Sequence, residues 1–280
     1  MSRRSLAVLV TLVLPVTVLA QASPAAAITS RVNSGVLSIS GDSGVDVVSV
    51  ACSGGNVKIN GADPDDGAAS CGAISAIEID TGAGNDSISV KSVYRSDFTS
   101  LTSVTVHGGA DNDTIVGTEG ADDLFGDEGS DKFPLVVGDD RIDGGTGDDA
   151  VTVTTRFDAV VNDSRLEAGD DRIAMTSIEE VHLASAGRAV LFDGRDFTGD
   201  LYMITDRGDD RLIGGKGDDT LTSGGGDDRL VGNAGNDKLL AQGGNDVLLG
   251  GPGIDFLDGS TGHDRCSGGP GFDRITNCEA

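Results

Sequence analysis

Toward the end of the chain, aspartate recurs at a fixed interval of nine residues: Asp210, Asp219, Asp228, Asp237, Asp246, Asp255, Asp264 and Asp273. Two residues before each stands a glycine: Gly208, Gly217, Gly226, Gly235, Gly244, Gly253, Gly262 and Gly271. Gly215 joins them as a candidate site residue in the second unit. Two residues after each aspartate comes an apolar residue or a cysteine, from Leu212 to Ile275. Carboxylates and turn carbonyls are hard oxygen donors, and such donors suit a hard cation. Calcium fits flexible, carbonyl-rich turns better than magnesium, which demands a tighter octahedron. The competing reading is a set of Asx-type turns without any ion. It leaves unexplained why carboxylates share one phase, since parallel coils lie about 4.8 Å apart and bare columns would repel.

These aspartates need elements that hold them in phase. Cut every nine residues, 205–276 reads TDRGDDRLI, GGKGDDTLT, SGGGDDRLV, GNAGNDKLL, AQGGNDVLL, GGPGIDFLD, GSTGHDRCS, GGPGFDRIT, with no insertion. The first six places of a unit, rich in glycine, can form a tight turn. The last three suffice for a short strand whose eighth-place side chain points inward. The pattern resembles GGxGxDxUx, the hemolysin-type calcium-binding nonapeptide repeat of the RTX family. That resemblance implies an all-β, right-handed parallel β-roll, a β-helix-like solenoid with two nonapeptides per coil. It also implies calcium ions shared by turns two repeats apart. The final array would then carry two columns, Asp210, Asp228, Asp246, Asp264 and Asp219, Asp237, Asp255, Asp273.

Composition supports a thin solenoid rather than a bulky core. The chain has 280 residues, 43 glycines, no tryptophan and 4% aromatics, too few large side chains for a broad interior. The formal net charge of −26 argues against nucleic acid or an anionic membrane surface as partner. Arg3 and Arg4, the apolar run Leu6 to Ala20 and Ala25-Ala26-Ala27 read as a leader over 1–27, cut after Ala27 or alternatively after Ala22. The run is too short for a membrane span, which needs about 20 residues. A secreted, extracellular protein is therefore expected. Four cysteines fall in two local pairs, and in an exported chain Cys52–Cys71 and Cys266–Cys278 are the expected disulfides.

The organisation expected along the chain begins, after the leader, with a segment of degenerate repeats at 28–107. Within it, GDSGVDVVS places Asp46 sixth and TGAGNDSIS places Asp86 sixth. Asp86 and Asp113 lie three repeat lengths apart, so coils could continue between them, with Arg95 and Val104 in the sixth places and no ion bound. A first array at 108–152 supplies Asp113, Asp122, Asp131, Asp140 and Asp149, with Leu135-Val136 replacing the turn glycine of its fourth unit. The stretch 153–204 breaks the pattern. One isolated unit there, LEAGDDRIA, offers Asp171, and the stretch reads either as wider solenoid coils or as a hinge. The array at 205–276 follows, and the tail 277–280 would fold across the open end as a cap.

Other chemistry finds little support in the residues. Gly41-Asp42-Ser43-Gly44 imitates a serine-protease nucleophile run, but no histidine precedes His107. There is no G-x-S-x-G, H-E-x-x-H, P-loop or dinucleotide fingerprint. No catalytic role is expected. One rival is a polysaccharide-acting enzyme on a parallel β-helix, using His182 and Arg188. Another is a calcium-dependent adhesin for a cell-surface or matrix ligand, although the third places of the last array form no Thr/Asn row.

Overall fold

The computed structural model describes residues 28–134, 137–185 and 187–279. The expected leader and the Leu135-Val136 pair lie outside the described residues. Glycine at turn places and isolated apolar residues at strand places produce a molecule made almost wholly of strands. The only helical element among the described residues is a 3₁₀ turn at Cys71–Ala73. No helix there is long and apolar enough to cross a membrane.

Two sheets, one of 14 strands and one of 12, run the length of the solenoid, and in the final array successive nonapeptides enter them alternately. In the final array Arg211–Ile213, Arg229–Val231, Val247–Leu249 and Arg265–Ser267 stack in the first sheet. Thr220–Thr222, Lys238–Leu240, Phe256–Asp258 and Arg274–Thr276 stack in the second. Every partner is 18 residues away and parallel, so two nonapeptides make one coil, as the resemblance implied. Eighth-place Leu212, Leu230 and Leu248 face Leu221, Leu239 and Leu257 across the interior, and all are fully buried. One inward side chain per strand makes a core only two layers thick, which is why few aromatics suffice.

The frame departs from nine in three places. Asp86 and Asp113 precede directly paired strands, Ser87–Ser92 and Thr114–Val116, so the 27 residues between form one wide coil rather than three repeats. Phe98, Leu101 and Ile74 fill it. Arg95 lies in a turn and holds no sixth place, whereas Val104 stands in line with Asp122, since Thr105 pairs with Asp123 and Val106 with Leu124, and it fills a sixth place without a carboxylate. Farther on, Ala150–Thr154, Glu180–Ala184 and Asp200–Ile204 are five-residue strands with two inward rows. The final array rejoins on the second row, because Met203 pairs with Leu221. Partners before the slip already lie 30 and 20 residues apart, and with it they account for the spacings that are not multiples of nine. Third, an antiparallel excursion, Ala159–Asn162, Arg165–Ala168 and Asp171–Thr176, is inserted into the first sheet. Both sheets continue through 153–204.

Both ends of the first sheet are covered. Thr29–Asn33 closes the first sheet antiparallel to Val36–Ser40, and its outward Ser30 and Val32 N–H groups donate to Asp65 and Asp66 at 2.7 Å. Those carboxylates mask an edge that would otherwise invite another strand. The loop bearing them is tied by Cys52–Cys71, and Cys266–Cys278 holds the tail against Arg265.

Candidate metal centre

Each turn delivers its sixth-place aspartate into the wall of the solenoid, where the carboxylate bridges coils. Oδ1 accepts the backbone N–H of the sixth place one coil earlier. In the final array these bonds link Asp210 to Asp228, Asp228 to Asp246 and Asp246 to Asp264 at 2.7–2.9 Å. In the other column they link Asp219 to Asp237, Asp237 to Asp255 and Asp255 to Asp273 at 2.8–3.1 Å. The first array repeats the device from Asp86 through Asp113 and Asp131 to Asp149, and from Asp122 to Asp140.

The second carboxylate oxygen decides the chemistry. Oδ2 of Asp86, Asp113, Asp131, Asp149, Asp210, Asp228, Asp237, Asp246 and Asp255 is buried without a hydrogen-bond partner. A buried charged oxygen left unsatisfied is costly, so a row of them calls for a counter-ion. At several sites the cause is local. Where the second-place backbone has positive φ, as at Gly109, Asp127, Gly145, Asn233 and Gly251, Oδ2 stands unpartnered. Where it does not, the second-place N–H can close on Oδ2, as Thr118 does on Asp122 and Gly215 on Asp219, both at 2.6 Å.

Burial pushes these carboxyls up, and like charges along each column add to it. Asp237 rises to about 6, with Asp255 as the main repelling neighbour. Asp228, Asp246 and Asp149 also rise to about 6 and Asp113 to about 7. Asp140 and Asp219 rise to about 8. Asp86, Asp122, Asp131, Asp210 and Asp255 are raised for the same leading reason.

Glycine is required where carbonyls close on this oxygen. A Cβ on first-place Gly232 would lie 2.2 Å from Asp237 Oδ2 and 2.7 Å from the Gly250 carbonyl. At fourth-place Gly235, with φ 128°, it would lie 1.9 Å from the Gly217 carbonyl. Among the described residues no three His, Cys, Asp or Glu side chains converge as a metal cluster. A cation here would therefore take one carboxylate per turn and complete its shell with turn carbonyls. That all-oxygen donor set fits calcium.

Several positions differ from the sequence reading. Asp171 is out of frame: Ala174 donates its N–H to the Asp140 carbonyl, which makes Ile173 the sixth place and Met175 the inward residue. Asp171 still accepts the Gly138 N–H at 3.2 Å from beside the column. The hairpin inserted just before it moves the frame by two residues. Asp46, read in a sixth place but not as a site residue, and Glu179, which sequence reasoning passed over, join a column. Asp46 donates its N–H to Asp86 and has its own Oδ1 buried and unpartnered, and Glu179 accepts the Asp149 N–H at 3.0 Å. A second ladder, also missed, runs through the fifth places in the opposite sense. Asp209 accepts the N–H of Asp227, and Asp227 accepts that of Asn245. The frequent Asp or Asn at the fifth place was its signal.

The other candidates are placed elsewhere. Ser43 sits in the turn leading to Asp46. His182 lies on the outer sheet face, stacked on Tyr202 at 4.7 Å with Nε2 2.7 Å from Glu180.

Segments 105–133, 137–152, 204–239 and 240–275 match the RTX calcium-binding nonapeptide repeat, in four copies. No curated protein matches the chain.

Proposed function

Because the chain belongs to the RTX calcium-binding nonapeptide-repeat family, we propose that calcium folds and stiffens its β-roll, and that the protein is exported and non-catalytic. The observation that carries this reading is the row of buried, unpartnered Oδ2 atoms. Calcium would supply the positive charge that these oxygens lack. The candidate ligands are Asp86 in the segment of degenerate repeats, Asp113, Asp122, Asp131, Asp140 and Asp149 in the first array and Asp210 to Asp273 in the second, with carbonyls of the turn glycines. The chain's own part is to hold each carboxylate by one oxygen, keep water out with the leucine rows, and close the turn at glycine. Since the unfolded chain has no such site, binding energy becomes folding energy. Export rests on the leader read at 1–27 and on two disulfides, which persist in oxidising compartments.

The test is far-UV circular dichroism of the mature protein, first stripped of metal and then titrated with calcium or magnesium. Calcium should raise β structure cooperatively, with magnesium much less effective. Identical spectra with and without calcium would refute the folding role.

A further inference from the structure

Among the described residues, three of the four sheet ends carry a cover and the fourth does not. Thr29–Asn33, with the carboxylates of Asp65 and Asp66, closes the start of the first sheet, and Glu279 bridges Arg265 at its other end. The start of the second sheet, Asn56–Ile59, is met by bridges to Ala62 and Ser70. Its far end, Arg274–Thr276, pairs only with Phe256–Asp258. Arg274 donates its N–H to the Asp255 carbonyl, and the Thr276 carbonyl accepts the N–H of Gly259, so both groups are directed at the preceding coil. In a parallel ladder the residue between them turns its N–H and C=O the other way. Those of Ile275 therefore face outward from the sheet edge. The side chains at this end are open too. Ile275 stands in the inward row beside the fully buried Leu257, yet it is 45% exposed, and Phe272 in the turn before it is 90% exposed.

We propose that this end docks a second copy of the same chain, edge to edge, as a closed dimer about a two-fold axis. The proposal goes beyond the reading above and needs only that the final coils be folded. Antiparallel pairing centred on Ile275 lets the two isoleucines exchange both N–H···O=C bonds across the axis. Paired residues of such a ladder share a face, so both side chains lie in the inward row and each covers the other's open core. The register also suits the charges. Arg274 falls opposite Thr276 and Asp273 opposite Asn277, so no acid meets an acid. Head-to-tail stacking finds no edge to pair with, because the opposite ends of both sheets are already covered. A contact that uses the same patch on both copies closes at two, and no filament grows from it.

The test follows the calcium-loaded mature protein by sedimentation velocity from about 1 μM to about 1 mM, and by small-angle X-ray scattering. The parent should reach a dimer with a longest dimension about twice the monomer's, as pairing through one end requires. Ile275→Asp sets two carboxylates face to face at the axis and should raise the dimer dissociation constant about tenfold or more. Ile275→Pro removes the outward N–H without touching the ladder to the preceding coil, and should weaken the dimer as well. Circular dichroism of both variants with calcium should match the parent's. Val160→Asp, at an exposed apolar residue of the inserted hairpin, should leave the dimer intact. A parent that stays monomeric, a compact side-by-side dimer, or growth beyond two copies would overturn the proposal. So would Ile275→Asp leaving association unchanged, or Val160→Asp weakening it equally. Failure of the calcium reading shows separately, as a spectrum that does not respond to calcium, and the association comparison still runs on the folded chain.

Discussion

With metal removed, the protein should lose β structure as pH rises from about 5 to about 8, and calcium should restore it. Asp228, Asp237 and Asp246 are pushed from the ordinary 3.8 to about 6 in the fold, and Asp219 to about 8. A carboxyl with a folded value above its unfolded one holds its proton more tightly in the fold. The stability it lends is complete below its unfolded value and is lost as pH climbs through 6 to 8. Moving a buried carboxyl from 3.8 to about 6 costs the ionised fold about 3 kcal/mol. Three such groups in the final array reach on the order of 10 kcal/mol, before Asp219 is counted, against about 5–15 kcal/mol for the whole stability of a domain. The ionised, metal-free array is therefore not expected to stand at about pH 8. Calcium takes only the ionised form, so its midpoint should rise as pH falls below about 6. Circular dichroism at stepped pH, on resin-stripped and calcium-saturated protein, reads both effects. Equal structure in stripped protein at both ends of the range, or loss on acidification, would refute the reasoning.

Two further outcomes follow from the same geometry. Asp237→Ala removes a carboxylate that has column neighbours on both sides, Asp219 and Asp255, whereas Asp273 has only Asp255, so the first should release about two ions and the second about one by equilibrium dialysis. Gly235→Ala places a methyl against the Gly217 carbonyl at a positive φ and should cost on the order of 3 kcal/mol or more in denaturant unfolding. Gly225→Ala, with only the Gly243 carbonyl at 3.8 Å, should cost less than about 1 kcal/mol.

The final array was legible because nine residues without insertion fix both the turn and the inward position, leaving strand pairing no freedom. The same reasoning fails where the period does. Gly169, Asp171 and Ile173 keep the motif's fourth, sixth and eighth places, yet the hairpin before them shifts the strand so that Met175 takes the inward row beside Ile142. The 27-residue coil between Asp86 and Asp113 imitates three repeats in length alone, because Phe98 and Leu101 build a wider interior there. Glu179 was hidden for the opposite reason. Its local motif is poor, and only stacking across 30 residues shows that it belongs to a column, while Asp46, legible as a sixth place, needed the stacking on Asp86 across 40 residues to join one.

The asymmetry between the two ends gives the columns a direction. Near the start, Asp122 needs least from a cation: Thr118 donates both its N–H and its hydroxyl to the carboxylate, and the Arg95 guanidinium beside the turn lowers the cost of its charge. The same region holds the broadest apolar packing, Ile74, Phe98 and Leu101, and is fastened by Cys52–Cys71. It can stand as a template before the later turns are neutralised. From there each sixth-place N–H waits for the carboxylate of the coil that follows, and each sixth-place carbonyl for an N–H nineteen residues on, as Arg265 supplies to Asp246. At the last coil the tail replaces the missing neighbour. Glu279 donates its N–H to the Asp264 carbonyl at 2.8 Å, the bond a further coil would have made. Cys278, tied to Cys266 in the apolar eighth place, holds it there. A residue outside the frame thus imitates the repeat beside Arg265–Ser267, and the disulfide holds it there.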